Sequence, residues 1–422
     1  MSEGKLNIKN TALLSFGFLA TSLAWSLYNS MVPQILSTFT ASATLIAAIM
    51  VLDNITGVVL EPLFGYFSDR TRTRFGRRMP YMMVGVPICA VALILVPHMH
   101  SLWPLIAMLV VFCVVMAMWR TPVISLMPDL TPGPLRSQAN GIVNMAGGVG
   151  SLIAFVAGGI LLNLGGFGLP FLVGALVMVF ALFILVVFVR EPTSAFVPEV
   201  KQERTKLAPS ERTSLLLILS AIFFWFLGYN AVETFFTLYA TTTLHASKGD
   251  ATILLGVFSI AFIAFAVPAG FIGAKFGRRK TIMIGLVAVT AFFIPMIIGS
   301  TLVGTIVCLF GGGLAWACIN INSLPMVVRL AGERQVGTFT GYYYLFSVAA
   351  QIVGPLIAGV LIDYAGRHPL LFIPMADHYR ALFLFSAAGF IVALVILVFV
   401  RHGEDVATAP VTTPQETEAI SL

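Results

Sequence analysis

Twelve apolar stretches of about 20 residues recur along the chain, and they constrain its fold more than any other feature. Only 10% of the 422 residues are charged, whereas a soluble domain carries about 25%. Each stretch is long enough to cross a hydrocarbon core of roughly 30 Å as a helix. The sequence therefore predicts an all-α integral membrane protein. The twelve predicted spans cover residues 11–36, 43–67, 79–97, 102–127, 140–163, 169–190, 214–240, 250–274, 280–300, 303–328, 337–362 and 380–400.

The basic residues predict how the chain lies in the membrane. With the N-terminus inside, 20 of the 24 Lys and Arg residues fall on the inner side, three fall outside, and Arg120 lies within a span. Because an excess of basic residues marks cytoplasmic loops, we expect a multi-pass protein of the inner or plasma membrane with both termini in the cytoplasm. The basic residues are spread over short loops, which argues against a nucleic-acid partner.

An internal repeat divides the chain into two pseudo-symmetric halves of six spans each. The segment GYFSDRTRTRFGRR, which starts at Gly65, returns as GFIGAKFGRR at Gly270. The pair Tyr28-Asn29 of span 1 likewise returns as Tyr229-Asn230 of span 7, at an offset of 201 residues. Parallel repeats of this kind occur in transporters. We expect an N-terminal half over 1–190, a cytoplasmic linker over 191–212, a C-terminal half over 213–401 and a disordered cytoplasmic tail over 402–422.

The loop between spans 2 and 3 carries a family signature. The pattern G-x-x-S-D-R followed by G-R-R, with its degenerate copy between spans 8 and 9, resembles the signature of the major facilitator superfamily. The longer form SDRTRTRFGRRMPY and the pair Glu61-Pro62 resemble the glycoside–cation symporter branch, which includes sucrose-type carriers. The resemblance covers nearly the whole chain and implies a transporter of a sugar or glycoside. It also implies that a cytoplasmic gate is formed by Gly65, Asp69, Arg70, Gly76, Arg77, Arg78, Gly277, Arg278 and Arg279.

Three carboxyl groups within the spans are candidates for cation coupling. Asp53 lies about ten residues into span 2, where an acid costs about 2.5–3.5 kcal/mol on insertion scales unless it faces a cavity or a partner. We predict that Asp53, Glu61 and Glu233 carry the coupling ion, with H⁺ favoured over Na⁺. The alternatives are structural: an ion pair of Asp53 with Arg120, or a pairing of Glu61 with the arginine-rich loop.

Aromatic, amide and basic side chains cluster in spans 1, 4, 7 and 10, which line the central cavity in this superfamily. Aromatic faces beside amides and carboxylates suit a sugar, because the C–H faces stack while the hydroxyls need donors and acceptors. For each Trp, packing is the alternative, and for Arg120 it is an ion pair with Asp53 or Asp129. The predicted substrate-binding residues are Tyr28, Asn29, Asn54, Trp119, Arg120, Tyr229, Asn230, Trp316 and Asn320.

These observations together predict a secondary transporter that acts as a monomer and moves a sugar or glycoside with H⁺ by alternating access. An exporter of drugs or metabolites by proton antiport is the rival on the same fold. An enzyme would need a sizeable domain outside the membrane or a nucleophile–base set, and a primary pump would need a P-loop; the sequence shows neither. The four cysteines lie in apolar spans without ligand-like spacing, so we expect no metal site or other cofactor.

Overall fold

The computed structural model describes residues 6–132, 135–191, 209–330, 336–371 and 373–400. Within those residues, twelve helical segments are long and apolar enough to cross a membrane, which confirms the predicted fold class. Each predicted span matches its helical segment to within five residues at either end. The α-helices are α1 (Ile8–Leu36), α2 (Ala43–Met50), α3 (Leu52–Arg70), α4 (Met79–Leu95), α5 (Leu102–Leu130), α6 (Arg136–Gly165), α7 (Gly168–Phe188), α8 (Pro209–Thr242), α9 (Lys248–Phe276), α10 (Arg278–Ile298), α11 (Leu302–Arg329), α12 (Val336–Arg367) and α13 (Ala381–Val398).

The segment between the two halves is only partly described. The sequence predicts a linker over 191–212, but helix α8 already begins at Pro209, so the last four residues of that linker are helical. The rest of the predicted linker, from 192 to 208, and the predicted tail over 402–422 lie outside the described residues.

The second span is built from two helices that meet at Val51. Helix α2 ends at Met50 and α3 begins at Leu52, so Asp53 stands in the first turn of α3 in the middle of the span. The exposed amide groups of a first helical turn favour a negative charge. The break in the span therefore helps to hold an acid at a depth where lipid alone disfavours one.

The two ends of the bundle differ in chemistry. The end that carries residues 71–78 is called the arginine end here, and the opposite end is called the distal end. Helix α3 ends and α4 begins at the arginine end, and since the spans alternate in direction, α12 starts at this end and finishes at the distal one. Side-chain depth along each span can therefore be read from its position in the helix.

Hydrogen bonds join the two halves at the middle of the bundle and at the distal end. In the middle, Asn29 Nδ2 of α1 donates to Glu233 Oε1 of α8 at 3.2 Å. Closer to the distal end, Gln34 Nε2 donates to Thr252 Oγ1 at 3.1 Å. At the distal end itself, Asp363 of α12 contacts the start of α2. The halves are thus in contact from the middle of the bundle to its distal end.

Candidate functional site

A cavity of about 770 Å³ lies between the two halves and is called the polar lobe here. It extends from mid-bundle residues such as Asn29 toward the arginine end, where Gly65 and Ile124 line it. Its walls come from α1, α3, α5, α8 and α12, and they mix aromatic, amide and charged side chains. The lining residues are Trp25, Asn29, Asp53, Asn54, Gly57, Val58, Glu61, Pro62, Gly65, Arg120, Thr121, Ile124, Glu233, Tyr344, Val348 and Gln351.

An ion pair of Arg120 with Glu61 forms one wall of the polar lobe. The guanidinium Nη1 contacts Glu61 Oε1, and both side chains are about one-third exposed. This corrects three pairings that the sequence analysis gave as structural alternatives. Arg120 pairs with neither Asp53 nor Asp129, and Glu61 faces Arg120 rather than the arginine-rich loop. A basic group within a membrane span needs such a partner or a substrate oxygen.

Asp53 and Glu233 come from different halves and line the same small cavity of about 50 Å³. Among the described residues, neither carboxylate forms an ion pair with Lys, Arg or His. Asp53 Oδ1 accepts a hydrogen bond of 2.8 Å from Asn54 Nδ2, while Glu233 is bonded to Asn29. Asn230 also lines this small cavity. The structure thus brings together two acids that are 180 residues apart in the sequence and surrounds them with amides.

A second cavity of about 300 Å³, called the aromatic lobe here, lies on the side of α6, α9 and α11. Trp316 and Tyr229 form its wall as a parallel stack, with ring centroids 4.1 Å apart and an interplanar angle of 5°. Phe258 and Asn320 line it as well. Glu233 reaches both lobes and is the one charged group that lines the aromatic lobe within the described part of the chain. The candidate site therefore has a polar side and an aromatic side that meet at Glu233.

Two of the predicted substrate residues, Tyr28 and Trp119, do not line the cavities described here, because their side chains are packed inside the first half. Tyr28 is 1% exposed and stacks on Phe112 at 5.5 Å, and Trp25, which lines the polar lobe, packs edge-on against it. Trp119 is also 1% exposed and packs its Cβ against Gly85. A helix has a buried face and a cavity face, and both rings lie on the buried face. The other predicted substrate residues, which are Asn29, Asn54, Arg120, Tyr229, Asn230, Trp316 and Asn320, all line cavities.

The structure adds three residues that the sequence analysis missed. Gln351 and Tyr344 lie on α12, which forms span 11, and line the polar lobe opposite α3 and α5. Trp25 lies on α1, one helical turn before Asn29. The predicted substrate residues come from spans 1, 2, 4, 7 and 10, which leaves out α12, although a glutamine in the middle of an apolar span is itself a signal of a polar neighbour.

The first copy of the arginine motif is built into the first half. Arg78 contacts Asp69 at 2.5 Å and Asp129 at 3.1 Å, and it is buried. Arg77 contacts Asp129 at 2.7 Å and Glu191 at 3.4 Å. These ion pairs tie the ends of α3, α4 and α5 to Glu191, three residues beyond the end of α7.

Two further residues of the same motif form its turn and an exposed contact. Gly76 has a φ of 103°, which favours glycine, and a Cβ there would strike the Glu191 carboxylate. Arg70 is exposed and lies over the Tyr66 ring, 3.4 Å from its centroid. The motif thus combines buried ion pairs with an exposed arginine.

Both arginines of the second copy of the motif donate to backbone carbonyls. Arg278 Nη1 donates to the carbonyl of Pro325 at 3.0 Å. Arg279 donates to the carbonyls of Leu397 and Val398 at 2.9 and 2.8 Å, close to the end of α13. Gly277 makes the turn between α9 and α10 with a φ of 98°. Cationic side chains interact favourably with the carbonyl end of a helix, so Arg279 stabilises the end of α13.

The described residues contain no group of three or more His, Cys, Asp or Glu side chains that could hold a metal ion. The four cysteines are free thiols, and three of them are buried.

A membrane protein of twelve spans in two halves, with polar groups converging on a central cavity between them, has the architecture of a secondary transporter. The Major Facilitator Superfamily model matches residues 14–247 and 218–420 of the chain. The chain belongs to the major facilitator superfamily, and it is a transporter rather than an enzyme.

The proteins that are similar in sequence carry names that state different functions or none. The tetracycline resistance protein, class H, of Pasteurella multocida is 23% identical over 349 residues, which cover 79% of this chain and 84% of the relative. The uncharacterised transporter YuxJ of Bacillus subtilis is 24% identical over 78% of this chain and 83% of its own length. The sucrose transport protein SUC3 of Arabidopsis thaliana is 23% identical, but over only 37% of this chain and 31% of its own. The sugar branch therefore remains an expectation.

Solved structures share the fold. A bacterial homologue of the human lysosomal transporter Spinster, in an inward-facing and occupied conformation, superposes with a TM-score of 0.76 over 94% of this chain and 97% of that one, at 16% identity. A POT family transporter in complex with 5-aminolevulinic acid superposes with a TM-score of 0.73 over 93% and 96%, at 13% identity.

Proposed function

We propose that this transporter couples the uptake of a sugar or glycoside to H⁺ by alternating access. The observation that carries the proposal is the polar lobe. In one cavity of about 770 Å³, two carboxylates without a basic partner among the described residues, an ion pair and several amides lie together. Charged groups at this depth are costly, and they are retained where they contact solutes or ions.

The lining of the polar lobe favours a sugar. Its amides and its ion pair offer hydrogen-bond donors and acceptors for hydroxyl groups, and Trp25 and Tyr344 offer aromatic faces. A volume of about 770 Å³ lies within the usual range for sites that bind small molecules. The adjoining aromatic lobe has room for an apolar group joined to the sugar, which favours a glycoside.

The pair Asp53 and Glu233 supports proton coupling. Two ionised carboxylates that face one small cavity repel each other, so a proton on either one stabilises the arrangement. Because the two residues belong to opposite halves, that proton also favours contact between the halves. Arg120 and Glu61 then contact the substrate, since their pairing leaves both groups facing the polar lobe. Na⁺ is the alternative ion, because carboxylates beside amides can coordinate it.

The distribution of basic residues supports an orientation with the arginine end and both termini in the cytoplasm of an inner or plasma membrane. In that orientation the polar lobe extends toward the cytoplasm, and the conformation is inward-facing. The similarity to an inward-facing structure is consistent with this. The arginine motif holds the cytoplasmic gate by fixing the helix ends of each half. One chain contains both halves of the transport unit, and we therefore propose a monomer.

Proton flux in oriented membrane vesicles tests this function. In right-side-out vesicles, adding a panel of mono- and disaccharide glycosides should alkalinise the external medium when a transported one is present. Asp53→Asn should abolish the alkalinisation while leaving exchange of the glycoside across the membrane. Asp377→Asn, which alters an ion pair with Arg380 on the far side of the bundle, is the matched control. Proton uptake by Asp53→Asn at the rate of the unmodified protein would contradict the coupling role, and replacing K⁺ by Na⁺ in the medium tests the alternative ion.

A second candidate is an exporter that exchanges drugs or metabolites for H⁺. It is favoured by the coverage of the tetracycline resistance protein of Pasteurella multocida and by the apolar walls of the aromatic lobe. In everted vesicles an exporter should release protons from the lumen when tetracycline or ethidium is added, without any response to glycosides. The two candidates therefore differ in the class of solute that starts the proton flux.

A further inference from the structure

The start of helix α2 is capped at the distal end by an acid of the other half. The carboxylate of Asp363, near the end of α12, accepts hydrogen bonds from Ser42 Oγ at 2.7 Å and from the Ala43 amide at 2.7 Å. It also accepts them from the amide and the hydroxyl of Thr44 at 3.1 and 2.6 Å. One carboxylate thus accepts hydrogen bonds from backbone N–H groups that have no partner within their own helix, because they lie at its N-terminus.

The start of helix α9 is capped in the same way by the first half. Asn163 Oδ1 of α6 accepts hydrogen bonds from Ser247 Oγ at 2.9 Å and from the Gly249 amide at 3.2 Å. Its Nδ2 donates to Asp250 Oδ1 at 3.0 Å. Asn163 and Asp363 are 200 residues apart, close to the offset of 201 residues between Tyr28-Asn29 and Tyr229-Asn230. The two contacts are therefore equivalent, one in each direction across the interface.

A glycine one helical turn before each capping residue permits the contact. A Cβ on Gly159 would lie 2.6 Å from the carbonyl oxygen of Gly249, and one on Gly359 would lie 2.8 Å from that of Ala43. Separations under 3.0 Å do not occur for real side chains, so only glycine allows the opposing backbone to come this close.

The difference between Asn163 and Asp363 follows from the charge at each helix start. Helix α9 carries Asp250 in its own first turn, whereas α2 has no acid there. A helix N-terminus is stabilised by negative charge, so α2 receives its carboxylate from the other half. At α9 a second carboxylate in place of Asn163 would repel Asp250, while the amide donates a hydrogen bond to it. Each contact thus contains one carboxylate.

We propose that these two contacts form the distal gate of the transporter. They hold the distal end shut while the polar lobe is open toward the arginine end, and both break when the halves rock apart. The gate rests on the proposed alternating access, but its test measures conformation and needs neither a substrate nor a coupling ion. It is separate from the arginine motif, which lies at the other end of the bundle.

Spin-label distances test the gate directly. In a protein whose four cysteines are replaced by serine, labels at Ser37→Cys and Leu371→Cys report the separation of the halves at the distal end in nanodiscs. We expect one short distance in the background protein. Asp363→Asn weakens a capping group that accepts four hydrogen bonds, and it should raise the ratio of open to closed molecules about tenfold.

An exchange of charges separates gating from a general loss of structure. Asn163→Asp places two carboxylates at the start of α9 and should also open the distal end. The double variant Asn163→Asp with Asp250→Asn keeps one carboxylate in that contact and should return the ratio of open to closed molecules to the background value. A destabilised fold is not restored by adding a second substitution of this kind.

Gly359→Leu is the reference for the open state, because its side chain cannot fit against Ala43. Monodisperse elution in detergent verifies that each variant is folded. If Gly359→Leu lengthens the distance and Asp363→Asn does not, the capping contact is not the gate. If Gly359→Leu itself leaves the distance unchanged, the close contact of α12 with α2 does not close the distal end. If the double variant stays as open as Asn163→Asp, the charge argument fails.

Discussion

The Glu61→Gln substitution removes the acid that faces the Arg120 guanidinium in the polar lobe. The two side chains are 30% and 34% exposed, which is intermediate between a surface pair and a buried one. Surface pairs are worth about 0–1 kcal/mol, and breaking a buried pair costs about 3–5 kcal/mol. We therefore expect a coupling free energy of about 1–2 kcal/mol between these residues.

A double-mutant cycle measures this coupling. The free energy of unfolding is determined in detergent for the unmodified protein, Glu61→Gln, Arg120→Gln and the double variant, first alone and then with a saturating glycoside. If Arg120 leaves Glu61 to bind a sugar oxygen, the coupling should fall below about 0.5 kcal/mol when the glycoside is bound, which is the range of independent sites. A parallel cycle on Asp377 and Arg380, which form an ion pair at 2.7 Å away from the lobes, should not respond to glycoside.

Two results would refute this reasoning. If the coupling stays at about 1–2 kcal/mol when the glycoside is bound, the ion pair does not open for the substrate and has only a structural role. A coupling below about 0.5 kcal/mol without any ligand would mean that the two groups do not interact in solution.

Three further predictions concern individual residues of the lobes and of the core. Glu233→Gln should retain glycoside exchange but lose accumulation driven by a pH gradient, as measured by counterflow and by active uptake in the same proteoliposomes; retained accumulation would place coupling on Asp53 alone. Phe258→Leu should lower the affinity for a phenyl glycoside about tenfold and leave the methyl glycoside unchanged, whereas Phe180→Leu on the lipid-facing surface should affect neither. Trp119→Phe should lower the thermal unfolding temperature without changing the apparent KM, and an altered KM at normal stability would return this ring to the binding site.

The fold could be predicted from the sequence because lipid imposes a simple rule on it. A span of about 20 apolar residues must satisfy its backbone within a helix, and the twelve windows therefore locate the helices. The loops are less constrained, and the predicted linker over 191–212 overlaps the first turn of α8.

The site was harder to predict, since hydropathy does not tell which face of a helix points inward. Tyr28 and Asn29 are adjacent in the sequence, yet the ring is buried in the first half while the amide bonds to Glu233. Such neighbours lie about 100° apart around a helix, and only the packing of the other helices decides which one reaches the cavity. The sequence analysis offered Asp53 or Asp129 as the partner of Arg120 and missed Glu61 for the same reason. Asp53 and Glu61 lie on the same span, and the sequence does not tell which of them faces Arg120.

The distal contacts could not be predicted from a sequence motif, because the residues that form them are common ones. Asn163 and Asp363 lie near helix ends, where polar residues are common. Their hydrogen bonds to the starts of helices in the other half are seen only in the folded structure.

The first copy of the arginine motif concentrates its ion pairs on a single acid. Asp129 contacts both Arg77 and Arg78, while Asp69 and Glu191 each form an ion pair with one of these arginines. Asp129→Asn should therefore loosen the arginine end of the first half more than the loss of either other acid, so that amide hydrogen exchange around residues 69–78 becomes faster than in the unmodified protein.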